Sequence, residues 1–341
     1  MTRRDRREWR IIAWAMLSAA AVSAWFGYRV APEGQSFLRS ATHGVITSLV
    51  ISTPIVFLLV RGRRQGFMRR LRRLPLAAYF AFNVVFYFVV IVGGLLVARL
   101  LLSNDVVHYV EEDPVFRQAL VFSIVMSVVG NLIVEFGTML GFGTLKNLLT
   151  GRYVQPKREQ RAFLLIDMKD STGVAERLGA VRFHELLNDF FRDVTDAALE
   201  CEAEIHKYVG DEAILTWPGG AALVDGECLR CPFLARDFIE RHRERYLSRF
   251  GAVPTFRAAI HYGEIVAGEI GDVRREIAYV GDTLNVAARL LDAAKELGRD
   301  VLVSDELLKQ AALPAALRVE KLPTLSMRGR AAPLGVSALT A

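Results

Sequence analysis

Two aspartates, Asp167 and Asp211, are the residues of this sequence best suited to phosphate chemistry. Asp167 closes an apolar stretch, Ala162 to Asp167, that reads as a buried strand. Asp211 follows Gly210 in a tight turn between Ala203–Val209 and Glu212–Trp217, a pattern expected of a β-hairpin. Paired carboxylates without His or Cys are hard oxygen donors, suited to Mg²⁺ or Mn²⁺ with phosphate completing the shell. Two ions held this way assist in-line attack at phosphorus, one on the nucleophile and one on the leaving group. Directly after Asp167, Met168-Lys169-Asp170-Ser171-Thr172 turns into a helix, whose first N–H groups can cradle phosphate. Either aspartate alone would read as a solvated turn residue. Their value lies in the pairing.

The elements that must position them alternate between strand and helix. Thr172 to about Glu200 reads as one long amphipathic helix, and Leu223 to Tyr246 as another. A strand is expected at Phe256–His261, then a Gly-rich turn, a strand at about Glu276–Val280 and a helix at about Thr283–Leu297. Short strands follow near 300–303, 316–320 and 334–338. The order β-α-β-β-α-β, with additions after it, predicts an α+β, ferredoxin-like core. In such a core the strand end and the hairpin tip meet at one edge of the sheet.

The residues before this core have a different character. The 341 residues carry a net charge of +6 and are 52% hydrophobic, which excludes a disordered chain. Residues 1–158 hold 20 Lys and Arg against 8 Asp and Glu, a net of +12, whereas residues 159–341 hold 23 against 29, a net of −6. Charge therefore gives no reason to expect a nucleic-acid partner for the acidic half. The basic half contains four apolar runs at 11–28, 44–60, 74–98 and 118–134, and a spanning helix needs about 20 such residues. They predict an all-α transmembrane domain over 1–140, with helices at about 10–31, 43–61, 74–102 and 117–140. A helical connector over 141–160 and a catalytic domain over 161–341 complete the expected organisation. The first run is too long, and is followed by too many others, for a cleaved signal peptide.

Arginines set the orientation. Arg3, Arg4, Arg6, Arg7 and Arg10 precede the first run, and Arg61, Arg63, Arg64, Arg69, Arg70, Arg72 and Arg73 cluster between the second and third. The other two loops hold only Arg29 and Arg39, then Arg99 and Arg117 beside Asp105, Glu111, Glu112 and Asp113. Both termini and the catalytic domain are thus expected in the cytoplasm, below a plasma (inner) membrane, with some affinity for anionic lipid heads. Asn83, Asn131 and Glu135 are the polar residues of note within the runs. Glu135 reads equally as a buried functional carboxylate and as one reaching the interface. In the connector, Leu145, Leu148 and Leu149 would share one helix face, with Gly151 and Pro156 ending it.

The cytosolic motifs occur together and in order: Phe163-Leu164-Leu165-Ile166-Asp167 with Ser171-Thr172, then Lys207-Tyr208-Val209-Gly210-Asp211, then Gly281-Asp282-Thr283-Leu284-Asn285-Val286-Ala287-Ala288-Arg289, then Arg328-Gly329-Arg330. Over about residues 160–338 the chain resembles the class III nucleotidyl cyclases. That resemblance implies conversion of ATP or GTP to the 3′,5′-cyclic monophosphate and pyrophosphate, on a head-to-tail homodimer with sites across the interface. It implies that Asp167 and Asp211 bind two Mg²⁺ or Mn²⁺ ions per site and that Ser171 and Thr172 lie at the phosphate turn. By the same resemblance Lys207 contacts adenine, Asn285 orients the ribose and Arg289 stabilises the transition state. Arg328 stands where the family has a phosphate-binding Lys, and guanidinium also grips phosphate. Each site would take its aspartates from one protomer and Lys207, Asn285, Arg289 and Arg328 from the other.

Two positions depart from the family. Ala278 occupies the place of the Asp or Thr that partners Lys207 in base recognition, and a methyl group cannot hydrogen-bond an exocyclic amine. Asp170 stands where many members have Gly. Lys207 nonetheless favours ATP, because guanylyl members usually carry Glu there. The alternatives are a guanylate cyclase and a catalytically silent, nucleotide-binding membrane receptor. Gly210-Asp211-Glu212 resembles the GGDEF motif only superficially, with Val209 and Ala213 in place of its first Gly and its Phe. Cys201, Cys228 and Cys231 are too few for a disulfide scaffold, and Cys228-x-x-Cys231 lacks the second pair that a zinc site needs, so packing is expected.

Overall fold

A computed structural model describes residues 3–29, 37–61, 71, 74–102, 114–273, 275–326 and 333–341. Its chain divides into two compact units, Met1–Leu140 and Gly141–Ala341.

The first unit is helical: α1 (Arg3–Arg29), α2 (Phe37–Arg61), α3 (Leu76–Leu102) and α4 (Pro114–Leu140). Each contains a stretch long and apolar enough to cross a membrane, at Trp9–Arg29, Ser40–Leu58, Ala78–Ala98 and Arg117–Gly137. Large apolar side chains such as Trp14, Val85, Val89 and Val121 point outward, as a helix facing lipid requires. The interior is a small cluster of Ile51, Ile55, Tyr87, Ile91 and Leu95. Asn83 and Asn131 are buried there too, and the Asn83 amide nitrogen has no hydrogen-bond partner among the described residues. Glu135 is half-buried. Most of the Arg-rich loop between the second and third spans, and the acidic loop before the fourth, lie outside the described residues, as do Arg274, Arg328 and Arg330.

The second unit opens on a short helix, α5 (Phe142–Leu149), and then builds a mixed sheet. Its first strand, β1 (Lys157–Met168), begins inside the polar stretch expected to be connector. Two helices follow, α6 (Ser171–Leu178) and α7 (Ala180–Glu200), where one was expected. Gly179 between them has φ 76°, a left-handed backbone that ends the first helix and restarts the second. The hairpin β2 (Glu204–Val209) and β3 (Glu212–Pro218) comes next, then α8 (Glu227–Arg241) and α9 (Arg243–Phe250), again two pieces of an expected single helix. β4 (Phe256–Ile270) runs nine residues past its expected end at His261. Gly263 and Gly268 look like turn formers in the sequence. In the strand, however, Gly263 admits the close approach of the Thr283 side chain, and Gly268 that of Pro156. β5 (Glu276–Val280), α10 (Asp282–Glu296), β6 (Val301–Ser304), β7 (Arg318–Leu325) and β8 (Leu334–Thr340) complete the unit.

The strand order is β2-β3-β1-β4-β6-β8-β7, with β5 paired to β4. The first four strands are mutually antiparallel, the arrangement of the expected ferredoxin-like core, and β6 extends them by pairing parallel to β4. Alternate residues of β1 serve opposite faces. Leu164, Ile166 and Met168 pack with Leu186 and Phe190 of α7 and Leu229 of α8. Phe163 and Leu165 pack with Val286 and Leu290 of α10. Asp167, in step with Phe163 and Leu165, therefore emerges on the α10 face. Alternation of the sheet decides where the chemistry sits.

Candidate active site

Asp167 stands one residue before the end of β1, registered against Glu212 of β3 and Arg257 of β4. Asp211 occupies the hairpin tip immediately before β3. Burial first, and then the neighbouring Asp211 carboxylate, push the Asp167 carboxyl up to about 6, while Arg257 and Lys295 act the other way. Glu212 is pushed up to about 7, by burial and then by Asp167, Asp211 and Asp292. The expected pairing of Asp167 with Asp211 is thus present. Glu212 is the member of the cluster that sequence reasoning missed, and its signal was the two-residue hairpin, which sets it across from Asp167.

Crowded carboxylates held above their ordinary pKa mark a place that a cation would relieve. The donor set, two aspartates with no nitrogen or sulfur, fits a hard divalent ion. Among the described residues no group of three or more His, Cys, Asp or Glu is disposed to hold a metal ion by itself. Ligands from a phosphate would have to complete the shell.

The turn after β1 is anchored by the Lys169 N–H, which donates to the Thr255 carbonyl at 2.8 Å, and by a Lys169–Asp300 ion pair. Ser171 and Thr172 open α6, and no side-chain hydrogen bond caps the helix. Asp170 adopts φ 53°, in the left-handed region. Its carboxylate lies against Gly173 and 3.5 Å from Arg177. The backbone thus accounts for the family's Gly at this position.

Lys207 and Ala278 come from different strands. Lys207 follows an irregularity in β2, where Ile205 opposes Leu215 but Lys207 opposes Ile214. Its Nζ lies 3.7 Å from Oε2 of Glu276, two residues before Ala278 on β5. Asn285 and Arg289 lie one helical turn apart on α10, Asn285 exposed and Arg289 half-buried. The start of α10 is tied to β4 by the Thr283 hydroxyl, which donates to the Glu264 carbonyl at 2.6 Å. No hydrogen bond or ion pair among the described residues joins the aspartates to Lys207 or Asn285. The helix that carries Asn285 and Arg289 also places Asp292 and Lys295 close enough to act on Glu212 and Asp167.

Residues 154–336 match the model of the adenylate and guanylate cyclase catalytic domain. Adenylate cyclase 2 of Rhizobium meliloti (strain 1021) is 37% identical over 304 residues, which cover 87% of this chain and 83% of that one. The chain belongs to the class III nucleotidyl cyclases. A second relative of this cyclase, the adenylate cyclase of Anabaena cylindrica, is 24% identical over 157 residues, 44% of this chain and 30% of that one. Among solved structures, a bacterial light-regulated adenylyl cyclase superposes with a TM-score of 0.55 at 16% identity, covering 67% of this chain and 66% of that one. That likeness speaks for the fold.

Behind the Lys207 strand, the cyclase buries an ionic network that its sequence did not announce. Arg161 is 1% exposed. It donates to Glu204 at 2.9 Å, Glu159 at 3.2 Å and the Tyr153 hydroxyl at 3.4 Å, and its guanidinium stacks on Tyr279. Tyr279 also meets the edge of Phe163 and the ring of His206. Burial, then Lys207 and Arg161, push the His206 imidazole down to about 4, so it is neutral at ordinary pH. The three cysteines are buried in the core, where burial pushes the Cys228 thiol up to about 12. Packing is the role this placement gives them.

Proposed function

We propose that the protein is a membrane-anchored adenylate cyclase that converts ATP to 3′,5′-cyclic AMP and pyrophosphate. The carrying observation is the Asp167–Asp211 pair at the sheet edge, within a domain whose base-reading position is Lys207. Asp167 and Asp211 would hold two Mg²⁺ or Mn²⁺ ions, which lower the cost of ionising the ribose 3′-OH and of charging the leaving pyrophosphate. Cyclisation is an internal attack, so the protein's task is to position the sugar and absorb spreading charge. Asn285 orients the ribose. Arg289, always charged, would stabilise the transferring phosphoryl, a role worth orders of magnitude in related reactions. The α6 N-terminus, with Ser171 and Thr172, and Arg328 receive the phosphates.

A site shared by two protomers in a homodimer is what membership of the class III cyclases implies, and within one chain no hydrogen bond or ion pair among the described residues joins the aspartates to Lys207 or Asn285. Asp167 and Asp211 come from one protomer, and Lys207, Ala278, Asn285, Arg289 and Arg328 from its partner. Four apolar helices and the Arg-rich segments beside them support a multi-pass protein of the plasma (inner) membrane, with both termini and the catalytic domain in the cytoplasm. Its annular partners are lipids, with anionic heads near the arginines.

The test is product formation by the full-length protein in detergent with Mn²⁺ or Mg²⁺. Cyclic AMP from ATP is expected. Cyclic GMP from GTP alone would make it a guanylate cyclase, and ATP binding without pyrophosphate release a silent receptor.

A further inference from the structure

The base-recognition position filled by Ala278 has no hydrogen-bonding side chain. Two residues earlier on β5 stands a carboxylate. Glu276 and Ala278 are registered against Ile270 and Gly268 of β4, and alternate residues of a strand leave the same face. Lys207 reaches this face from β2, with its Nζ 3.7 Å from Glu276 Oε2. That distance is longer than a hydrogen bond, and both side chains are about half exposed, so neither is committed to the other. The strand beneath them is fixed from its other face, where Tyr279 stacks on Arg161 and His206. An exposed ion pair contributes little to stability, so stability alone does not account for the placement.

We propose that Glu276 is the specificity-determining carboxylate of this site, accepting the N6 amine of adenine while Lys207 donates to N1. The proposal rests on the adenylate cyclase reading above. Adenine presents an acceptor at N1 beside a donor at N6, and an ammonium beside a carboxylate complements that edge. Guanine presents the reverse order, N1–H beside the O6 acceptor. Seated the same way, it would set N1–H against Lys207 and O6 against Glu276, two repulsive contacts at once. The Lys–carboxylate couple is therefore retained in this chain with its acid displaced by one strand repeat.

The experiment uses the full-length protein in detergent and compares kcat/KM for ATP, GTP and purine riboside triphosphate, an ATP analogue without the N6 amine. The wild type should prefer ATP over the analogue. Glu276→Ala should lower kcat/KM for ATP about tenfold to a hundredfold, the worth of a hydrogen bond to a charged group, and leave the analogue unchanged. Returning the carboxylate to the neighbouring position, in E276A/A278D, should restore the preference for ATP. An equal loss on all three nucleotides would assign Glu276 a structural role and overturn the proposal. So would an unchanged ATP-to-analogue ratio, or a gain in ATP turnover, which would make the ion pair an obstruction. Absence of cyclic AMP from the wild type would instead remove the adenylate cyclase reading on which the proposal stands.

Discussion

The Arg161 guanidinium lies 4.8 Å from the centre of the Tyr279 ring, directly behind the strand that carries Glu276 and Ala278. One of the most deeply buried charges of the catalytic unit thus supports the strand that carries Glu276 and Ala278. Tyr153, which precedes β1, and Glu204 of β2 close the same network.

Removing this cation should be costly. Arg161→Ala takes the shared cation from Glu159 and Glu204, but Glu204 is 41% exposed and Glu159 keeps Arg152, so the cost should fall below the about 3–5 kcal/mol of a broken, fully buried pair. Thermal unfolding should show a fall in Tm. Arg161→Met combined with Glu204→Gln should lose less than Arg161→Met alone, because one stranded carboxylate is gone. A double variant no more stable than the single would show that the pair is not coupled.

Asp170 offers a separable test of backbone and charge. Asp170→Ala places a side chain that cannot bond locally into the left-handed region, at a cost of about 1–2 kcal/mol. Asp170→Gly removes the strain but loosens the unfolded chain, and these nearly cancel. Scanning calorimetry should show a lowered Tm for the first and little change for the second. If the turn after β1 receives the phosphates as proposed, Asp170→Gly should also lower KM for ATP, because a carboxylate leaves it.

The raised carboxyls of Asp167 and Glu212 predict a pH trend. Asp167 and Glu212 hold protons to about pH 6 and 7 in the folded protein, above the ordinary carboxylate range near 4 in the unfolded chain. Between those limits the folded state binds more protons. The metal-free enzyme should therefore lose stability as pH rises from about 4 through 7. Mg²⁺ or Mn²⁺ favours the ionised carboxylates, so its Tm increment should be larger at pH 8 than at pH 5.5. Asp167→Asn should raise the metal-free Tm at pH 8 and abolish most of that increment. Equal metal increments at both pH values would argue against cation binding here.

Complementation tests the shared site. Asp167→Ala and Asn285→Ala, each inactive alone, should recover partial cyclic AMP production when co-expressed, because a mixed dimer contains one intact site. Continued silence in a preparation shown to hold mixed dimers would argue that each chain builds its own site.

Much of this site was readable from residue types and order. Asp167 and Asp211 declared themselves because an apolar strand and a Gly-Asp turn must bring them to one sheet edge. Other features depend on packing that period and propensity do not encode. Arg161 directly follows the polar stretch that reads as linker, and its burial shows only once β1 is seen to start at Lys157 and Tyr153 to pack beside it. Strict alternation in β2 would send Lys207 to the same face as Ile205, and the irregularity at His206 sends it to the other. The breaks at Gly179 and His242 were hidden because amphipathic spacing continues across them.

β2 is also the outermost strand of the sheet, with its far edge unpaired among the described residues. Such an edge is a template for another chain, and at its tip Tyr208 and Val209 are exposed. The irregular register and the Lys207 ammonium are the kind of features that discourage that pairing. At the opposite edge, β7 carries Lys321 and Pro323. The lysine proposed to read the base thus also stands on an exposed sheet edge. If the edge lysine discourages strand pairing, a Lys207→Ala variant is expected to self-associate more than the wild type, which light scattering would measure.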